Sequence, residues 1–196
     1  MVKHEEAVPA AAVVADVSAA SAARGPVPEV EEHGTEPDPR DVARQIVLRQ
    51  LAMAPRSRAE LMKKLAQRGC SAEVADTVLD RMTQVGLVDD EAYAHMLVRT
   101  QQSGRGLARR ALARELRTKG IGGDLADEAL SDISDEDERD RARALVDKKL
   151  RAMHGLGIDV QTRRLAGMLA RKGYSPNMTY TVIREAMADS PEHLPD

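Results

Sequence analysis

The groups in this 196-residue chain best placed to do chemistry are arginines rather than nucleophiles or metal ligands. Arg105, Arg109, Arg110, Arg114, Arg117 and Lys119 fall close together, opposed there only by Glu115. On a helix, 100° per residue puts Arg110, Arg114 and Arg117 on one stripe at i, i+4 and i+7, with Arg109 to one side. Leu112 and Leu116 form the buried stripe of the same helix. Guanidinium groups on such a face can hold phosphates or carboxylates through paired hydrogen bonds. The competing reading is a solvated face whose charges are met by nearby acids such as those at 135–140. Arg163, Arg164, Arg171 and Lys172 repeat the basic theme further along. A base precedes a glycine three times, at Arg68, Lys119 and Lys172, where a cation also suits the negative end of a helix. These ten cations from Arg105 to Lys172 are the expected partner-binding residues.

Catalytic chemistry finds no support. The histidines His4, His33, His95, His154 and His193 make no HxxxH or HExxH pair. No GxxxxGK[ST] phosphate loop is present, and Gly104-Arg105-Gly106 is too short for a dinucleotide fingerprint and follows no strand. Asp89-Asp90 could ligate a metal, but helix capping accounts for the pair. Cys70 is the single cysteine, so there is no intramolecular disulfide and no zinc cluster, and it reads as a bystander in a turn. Nothing pairs a nucleophile with a base. The expectation is a binding protein with no catalytic, cofactor or metal site.

The element that positions the arginines belongs to a repeat. Leu61, Leu65 and Gly69 follow the pattern L-x3-L-x3-G, as do Leu112, Leu116 and Gly120, and Leu165, Leu169 and Gly173. The glycines stand 51 and 53 residues apart. At nine and ten positions beyond each glycine come Val78 and Leu79, Ala129 and Leu130, and Val182 and Ile183. A glycine just past a helix closes its last turn in a left-handed conformation. Ser57 through Glu60 is a capping box, Ser71 caps the next helix, Asp89 or Asp90 caps a later one, and Ser134 precedes a crowd of acids that suits a helix start. Ser175-Pro176 sets a cap ahead of a proline at the first helical position. Ile46, Leu48 and Leu51 mark the first helix; Leu125, Ala129, Leu130 and Ile133 mark the sixth. The chain is expected to break at Ser103-Gly104, ahead of the basic helix.

The predicted fold is all-α, with nine helices in three tandem three-helix repeats at 41–85, 89–133 and 135–189. Such units cannot bury their own faces alone and stack into an elongated, curved array, right- or left-handed. Residues 1–40 hold 8 acids against 3 bases and four prolines late in the stretch, Pro26, Pro28, Pro37 and Pro39; they read as a disordered acidic tail. Residues 41–196 hold 24 acids against 26 bases, so the helical part is mildly basic, and 190–196 reads as a frayed end. Aromatics are 2% of the chain, which leaves Leu, Val, Met and Ala to fill thin helix-on-helix layers and excludes base stacking as a binding mechanism. No apolar run approaches the roughly 20 residues of a membrane span. Ala7–Ala15 lacks the basic start of a secretory signal, so a cytoplasmic monomer is expected.

Three motifs in order carry a resemblance. Ser57-Arg58 with Glu60-Leu61, Lys64-Leu65 and Gly69 is the first. Gly86-Leu87-Val88-Asp89-Asp90 followed by Tyr93-Ala94 is the second, and Gly106 through Glu115-Leu116 and Lys119-Gly120-Ile121 is the third. Together, over about residues 41–188, they resemble the RecX family, bacterial regulatory proteins of the RecA recombinase. The resemblance implies three tandem three-helix repeats. It further implies binding to RecA, chiefly in the helical groove of its filament on DNA. The implied outcome is lowered ATPase, strand-exchange and coprotease activity, with no enzymatic activity in the family member itself. Some members of that family also bind DNA directly, so a direct DNA-binding regulator stands as the alternative.

Overall fold

The computed structural model describes residues 37–189. Among these the chain forms nine helices and no strand: α1 Pro39–Met53, α2 Arg58–Gln67, α3 Ala72–Gln84, α4 Asp90–Arg105, α5 Arg109–Thr118, α6 Gly123–Ser131, α7 Asp135–Leu150, α8 Ile158–Lys172 and α9 Pro176–Ala188. No helix among the described residues is long and apolar enough to cross a membrane. The expected disordered stretch falls outside the described residues up to Glu36, as does the expected frayed end from Ser190. Pro39 interrupts nothing. It sits in the first turn of α1, where its missing N–H has no partner to lose, and the Asp38 carboxylate accepts from the Arg40 amide at 2.9 Å.

The helices pack by threes. Each triplet has its own apolar cluster: Leu61, Leu65 and Leu79 in the first, Leu112, Leu116 and Leu130 in the second, Leu165, Leu169 and Ile183 in the third. The two leucines of each L-x3-L-x3-G copy are at most 1% exposed. Burying a leucine fully is worth about 1.5–3 kcal/mol, so these six residues are a principal source of stability. The second leucine of each pair also closes its helix. Its carbonyl accepts from the residue after the glycine: Cys70 to Leu65 at 3.1 Å, Ile121 to Leu116 at 2.9 Å, Tyr174 to Leu169 at 3.2 Å. This is the Schellman pattern. It explains the spacing of leucine to glycine, and it makes Cys70 the counterpart of the buried Ile121 and Tyr174, packed against the first core.

The caps form where the sequence places them. Ser57 and Ser134 complete capping boxes, Ser71 and Ser175 accept from Val74 and Met178, and Asp89 accepts from the Ala92 amide at 2.8 Å. One detail differs from expectation and two others add to it. Helix α4 runs through Ser103 and Gly104 and stops at Gly106, which takes φ 60°. Arg105 is therefore the last residue of α4 and does not belong to the basic helix. In α1 the buried positions are Ala43 and Val47, four apart, while Leu48, rotated 100° from Val47, is 42% exposed. In α6, Ala126 faces the core, Leu125 is 37% exposed and Ile133 lies beyond the helix end.

Successive triplets are joined by the same device. The N-terminus of the middle helix of one triplet meets the glycine turn of the next. Gly120 has φ +76°, and a Cβ built there would lie 2.2 Å from the Ala59 Cβ. At Gly173, φ +92°, a Cβ would lie 2.7 Å from both the Cβ and the amide nitrogen of Ala111. These two glycines serve a left-handed turn and a close approach of backbones at once. Hydrogen bonds complete each joint. The Ser57 hydroxyl donates to the Lys119 carbonyl at 2.6 Å, and the Ala108 amide donates to the Lys172 carbonyl at 2.9 Å. An acid from the following triplet then caps the first helical amide: Arg58 N–H donates to Asp90 at 2.8 Å, and Arg109 N–H donates to Glu138 at 3.1 Å.

Candidate binding surface

The basic stripe of α5 is held outward by what lies beneath it. Ala111, Leu112 and Leu116 fill the second core, and the 100° step per residue turns Arg110, Arg114 and Arg117 to the opposite side, where all three are exposed. Arg109 is exposed beside them, its amide occupied by Glu138. Arg105, at the end of α4, reaches Glu115 at 3.1 Å and Gln101 at 3.2 Å. The single acid of the stretch is thus taken by Arg105. Arg110, Arg114 and Arg117 make no ion pair among the described residues, with the acids at 135–140 or with any other. Every base of the second triplet except Arg99 lies between Arg105 and Lys119. The acids of that triplet other than Glu115 lie at the start of α4 and on or just after α6.

Lys119 and Lys172 have internal partners. Lys119 Nζ binds Glu60 at 2.7 Å, and Tyr93 donates its hydroxyl to the other Glu60 oxygen at 3.1 Å. Burial pushes the Glu60 carboxyl up. The Lys119 hydrogen bond, the Ser57 amide, the Lys119 charge and the Tyr93 hydroxyl outweigh it and hold the group below the ordinary glutamate value. Burial, followed by the charge and hydrogen bond of Glu60, pushes the Tyr93 hydroxyl up to about 12. In the second joint Lys172 Nζ donates to the Arg105 carbonyl, and the Tyr174 hydroxyl donates to the Gly106 carbonyl at 3.2 Å. The structure therefore brings Arg105 and Lys172 together. Arg163, Arg164 and Arg171 are exposed on α8 without an ion pair among the described residues, and no hydrogen bond links them to the α5 stripe.

One basic surface was not found from the sequence. Arg141, Lys148 and Lys149 lie on the side of α7 that faces the C-terminal turn of α4, and with Arg105 and Lys172 they line a groove of about 640 Å³. Their spacing of seven and eight residues was a usable signal, hidden behind the acids that open the same helix. No group of three or more His, Cys, Asp or Glu able to hold a metal occurs among the described residues. Asp89 and Asp90, the pair with a conceivable metal role, are each bound to a helix-start amide.

Comparison with known proteins matches the triplets one by one. The first three-helix domain of RecX fits residues 43–82, the second fits 89–130 and the third fits 135–183. The chain is 50% identical over 169 residues to the regulatory protein RecX of Streptomyces coelicolor, covering 84% of this chain and 90% of that protein. It is 46% identical over 145 residues to the RecX of Thermobifida fusca, covering 74% and 78%. The crystal structure of RecX from Lactobacillus salivarius superposes with a TM-score of 0.67 at 21% identity, over 76% of this chain and 97% of that one. A second RecX crystal structure gives 0.65 at 26% identity, over 76% and 72%. Three domain matches in order, on three triplets joined by one device, place this chain in the RecX family of regulatory proteins.

Proposed function

We propose that the protein is a cytoplasmic negative regulator of the RecA recombinase. It binds the RecA–DNA filament and lowers its ATPase, strand-exchange and coprotease activities, with no catalysis of its own. Membership of a regulatory family supports the class of function. The observation that carries the contact is the α5 stripe: three exposed guanidinium groups at i, i+4 and i+7 with no acid of their own. A planar guanidinium suits bidentate pairing with a carboxylate or phosphate, and a row of them on a rigid helix presents that chemistry with little ordering cost. Arg109 lies beside the row, and Arg163, Arg164 and Arg171 extend the basic character to the third triplet. Arg105, Lys119 and Lys172, tied into the fold, contribute by holding these surfaces in place.

The test is the triple substitution R110A/R114A/R117A in an assay of RecA-dependent ATP hydrolysis on single-stranded DNA. Inhibition by the wild-type chain and its loss in the variant, with helical content unchanged by circular dichroism, is the expected result. Full inhibition by the folded variant removes the stripe as the contact. The second reading is a regulator acting on DNA without RecA. It is favoured by the unpaired cations of α7, and it requires binding to DNA alone with a steep salt dependence.

A further inference from the structure

The joints leave one half of their device unused. The turns at Gly120 and Gly173 each receive the start of a helix, α2 and α5, but among the described residues no triplet precedes the first to fill the turn at Gly69. Gly69 has the same left-handed backbone, φ +79°, with nothing within 4 Å of a Cβ built there. Its surroundings match an occupied joint from which the incoming helix has been removed. The carbonyl before the glycine accepts from the Ser57 hydroxyl in the first joint and from the Ala108 amide in the second, whereas the Arg68 carbonyl has no donor among the described residues. Lys119 and Lys172 are half-buried and bonded across their joints, whereas Arg68 is exposed and makes no ion pair among the described residues. The residue after the glycine is buried at Ile121 and Tyr174 but only half-buried at Cys70. The capping acid has a counterpart too. Asp90 and Glu138 come from the first turns of α4 and α7, and the first turn of α1 carries Asp41, exposed and paired with Arg44 at 3.4 Å.

We propose that the Gly69 turn is a docking site for the N-terminus of a helix on a partner protein. The proposal rests on the regulatory reading and deepens it by giving the chemistry of a contact. The occupied joints define that chemistry. An incoming helix start sets an alanine against the glycine, Ala59 or Ala111, and donates a hydroxyl or an amide to the carbonyl before it. In the first joint it also brings Glu60 to the Lys119 ammonium. The ligand is therefore a helix start with Ser or Thr at the cap, a small residue in the first turn and a carboxylate at the third position for the Arg68 guanidinium. Its positive end meets the negative end of α2, with Asp41 at hand to cap a free amide. The same carbonyl end and the same acid disfavour a phosphodiester strand. A second copy of this chain does not fit. Its remaining middle helix, α8, starts seven residues before its first leucine, whereas α2 and α5 start three before theirs. The extra turn is fixed by the buried Gln161, whose amide donates to the Met153 carbonyl at 3.0 Å. Ala59 and Ala111 stand two and one residues before their leucines; Arg163 and Arg164 occupy those positions before Leu165, and both are too long for the close approach.

The test measures binding of the full-length protein to RecA filaments on immobilised single-stranded DNA by biolayer interferometry, with bare DNA subtracted. Gly69→Asn keeps a residue that tolerates the left-handed turn and adds a side chain in the path of the incoming helix. Arg68→Glu reverses the charge that meets its carboxylate. Each is expected to weaken filament binding at least about tenfold, with a urea midpoint close to wild type. Gly86→Asn makes the same exchange at the left-handed turn after α3, φ +73°, and is expected to change affinity less than about twofold. A second arm does without RecA. A peptide of residues 56–67, which carries the chain's own Ser57, Ala59 and Glu60, is titrated into isotope-labelled full-length protein. At millimolar concentration it is expected to shift the backbone amide resonances of residues 68–72, and Ala59→Leu in the peptide or G69N in the protein is expected to abolish those shifts. Peptide shifts that survive G69N overturn the site. Self-association of the wild type that G69N abolishes, read by sedimentation, overturns the assigned occupant in favour of a second copy. Equal filament binding by wild type, R68E and G69N removes the docking site and keeps the regulatory reading. A wild-type chain that leaves filaments unbound while the peptide shifts depend on Gly69 does the reverse.

Discussion

Replacing a glycine of the repeat by alanine separates its two jobs. Gly69 and Gly120 hold the same place in their L-x3-L-x3-G copies and nearly the same left-handed backbone, φ +79° and φ +76°. A Cβ in that conformation costs about 1–2 kcal/mol, offset in small part by the stiffer unfolded chain. Gly69→Ala should lose about that much and no more, because nothing lies within 4 Å of the added carbon. Gly120→Ala bears the same strain and adds a contact of 2.2 Å with the Ala59 Cβ, which sits on helix α2 and has no flexible end to swing aside. Forced overpacking of this kind costs typically about 1–3 kcal/mol more. Urea denaturation followed by circular dichroism should therefore rank wild type above G69A and G69A above G120A, with a gap of about 1–3 kcal/mol between the variants. A double-mutant cycle locates the gap: Ala59→Gly in the G120A background removes the colliding carbon and should recover part of the loss, although A59G alone costs up to about 1 kcal/mol in a helix. Equal destabilisation in G69A and G120A, or strictly additive A59G and G120A, would refute the account of the joint.

Other consequences follow from the same joint. Ser57→Ala removes a helix cap worth about 1 kcal/mol and also strips the Lys119 carbonyl of a buried donor worth about 1 kcal/mol more; Ser71→Ala, which removes an exposed cap only, should lose about half as much in the same denaturation assay. The Glu60 carboxyl is held below its ordinary value by its partners. Its contribution to stability is therefore present at neutral pH and lost as pH falls from the ordinary glutamate range through the lowered folded value. Denaturation midpoints from pH 7 to pH 3 should fall more steeply for wild type than for Glu60→Gln, and parallel curves would remove the Lys119–Glu60 pair as the cause.

What the sequence disclosed was local periodicity, and what it concealed was contact between distant segments. The leucine pairs, the serine caps and the glycine stops are set by neighbours within one or two helical turns, and each formed where its spacing placed it. The break before α5 was misread because Ser103-Gly104 and Gly106 are equally plausible stops by composition; α4 continues through the first and uses the left-handed Gly106. Leu48 and Leu125 mark their helices in the sequence, but smaller neighbours, Val47 and Ala126, occupy the buried positions. The bonds of Lys119 to Glu60 and of Arg58 to Asp90 span 59 and 32 residues. No periodicity announces them. Lys119, the base before Gly120, was the one trace of the first bond, and the helix dipole accounted for it without that bond.

The α5 stripe can be separated from the architecture by asking what the other copies hold in its place. Counting back 51 residues, Arg110, Arg114 and Arg117 become Ala59, Lys63 and Ala66; counting forward 53, they become Arg163, Gly167 and Ala170. The leucines and the glycine survive both shifts, and the three-arginine row survives neither. The first joint explains one of these differences. Ala59 stands where Gly120 comes closest, so the first copy holds a small side chain against the glycine turn, though the residue stays exposed. In the second joint the close approach moves one residue along, to Ala111, which leaves position 110 free to carry an exposed arginine. No core, cap or joint of the described fold uses the Arg110, Arg114 or Arg117 side chain. Substituting these three should therefore cost little stability, since exposed sites away from such features usually change it by less than about 0.5 kcal/mol. A loss of regulatory effect in a variant of unchanged stability would then belong to the surface alone.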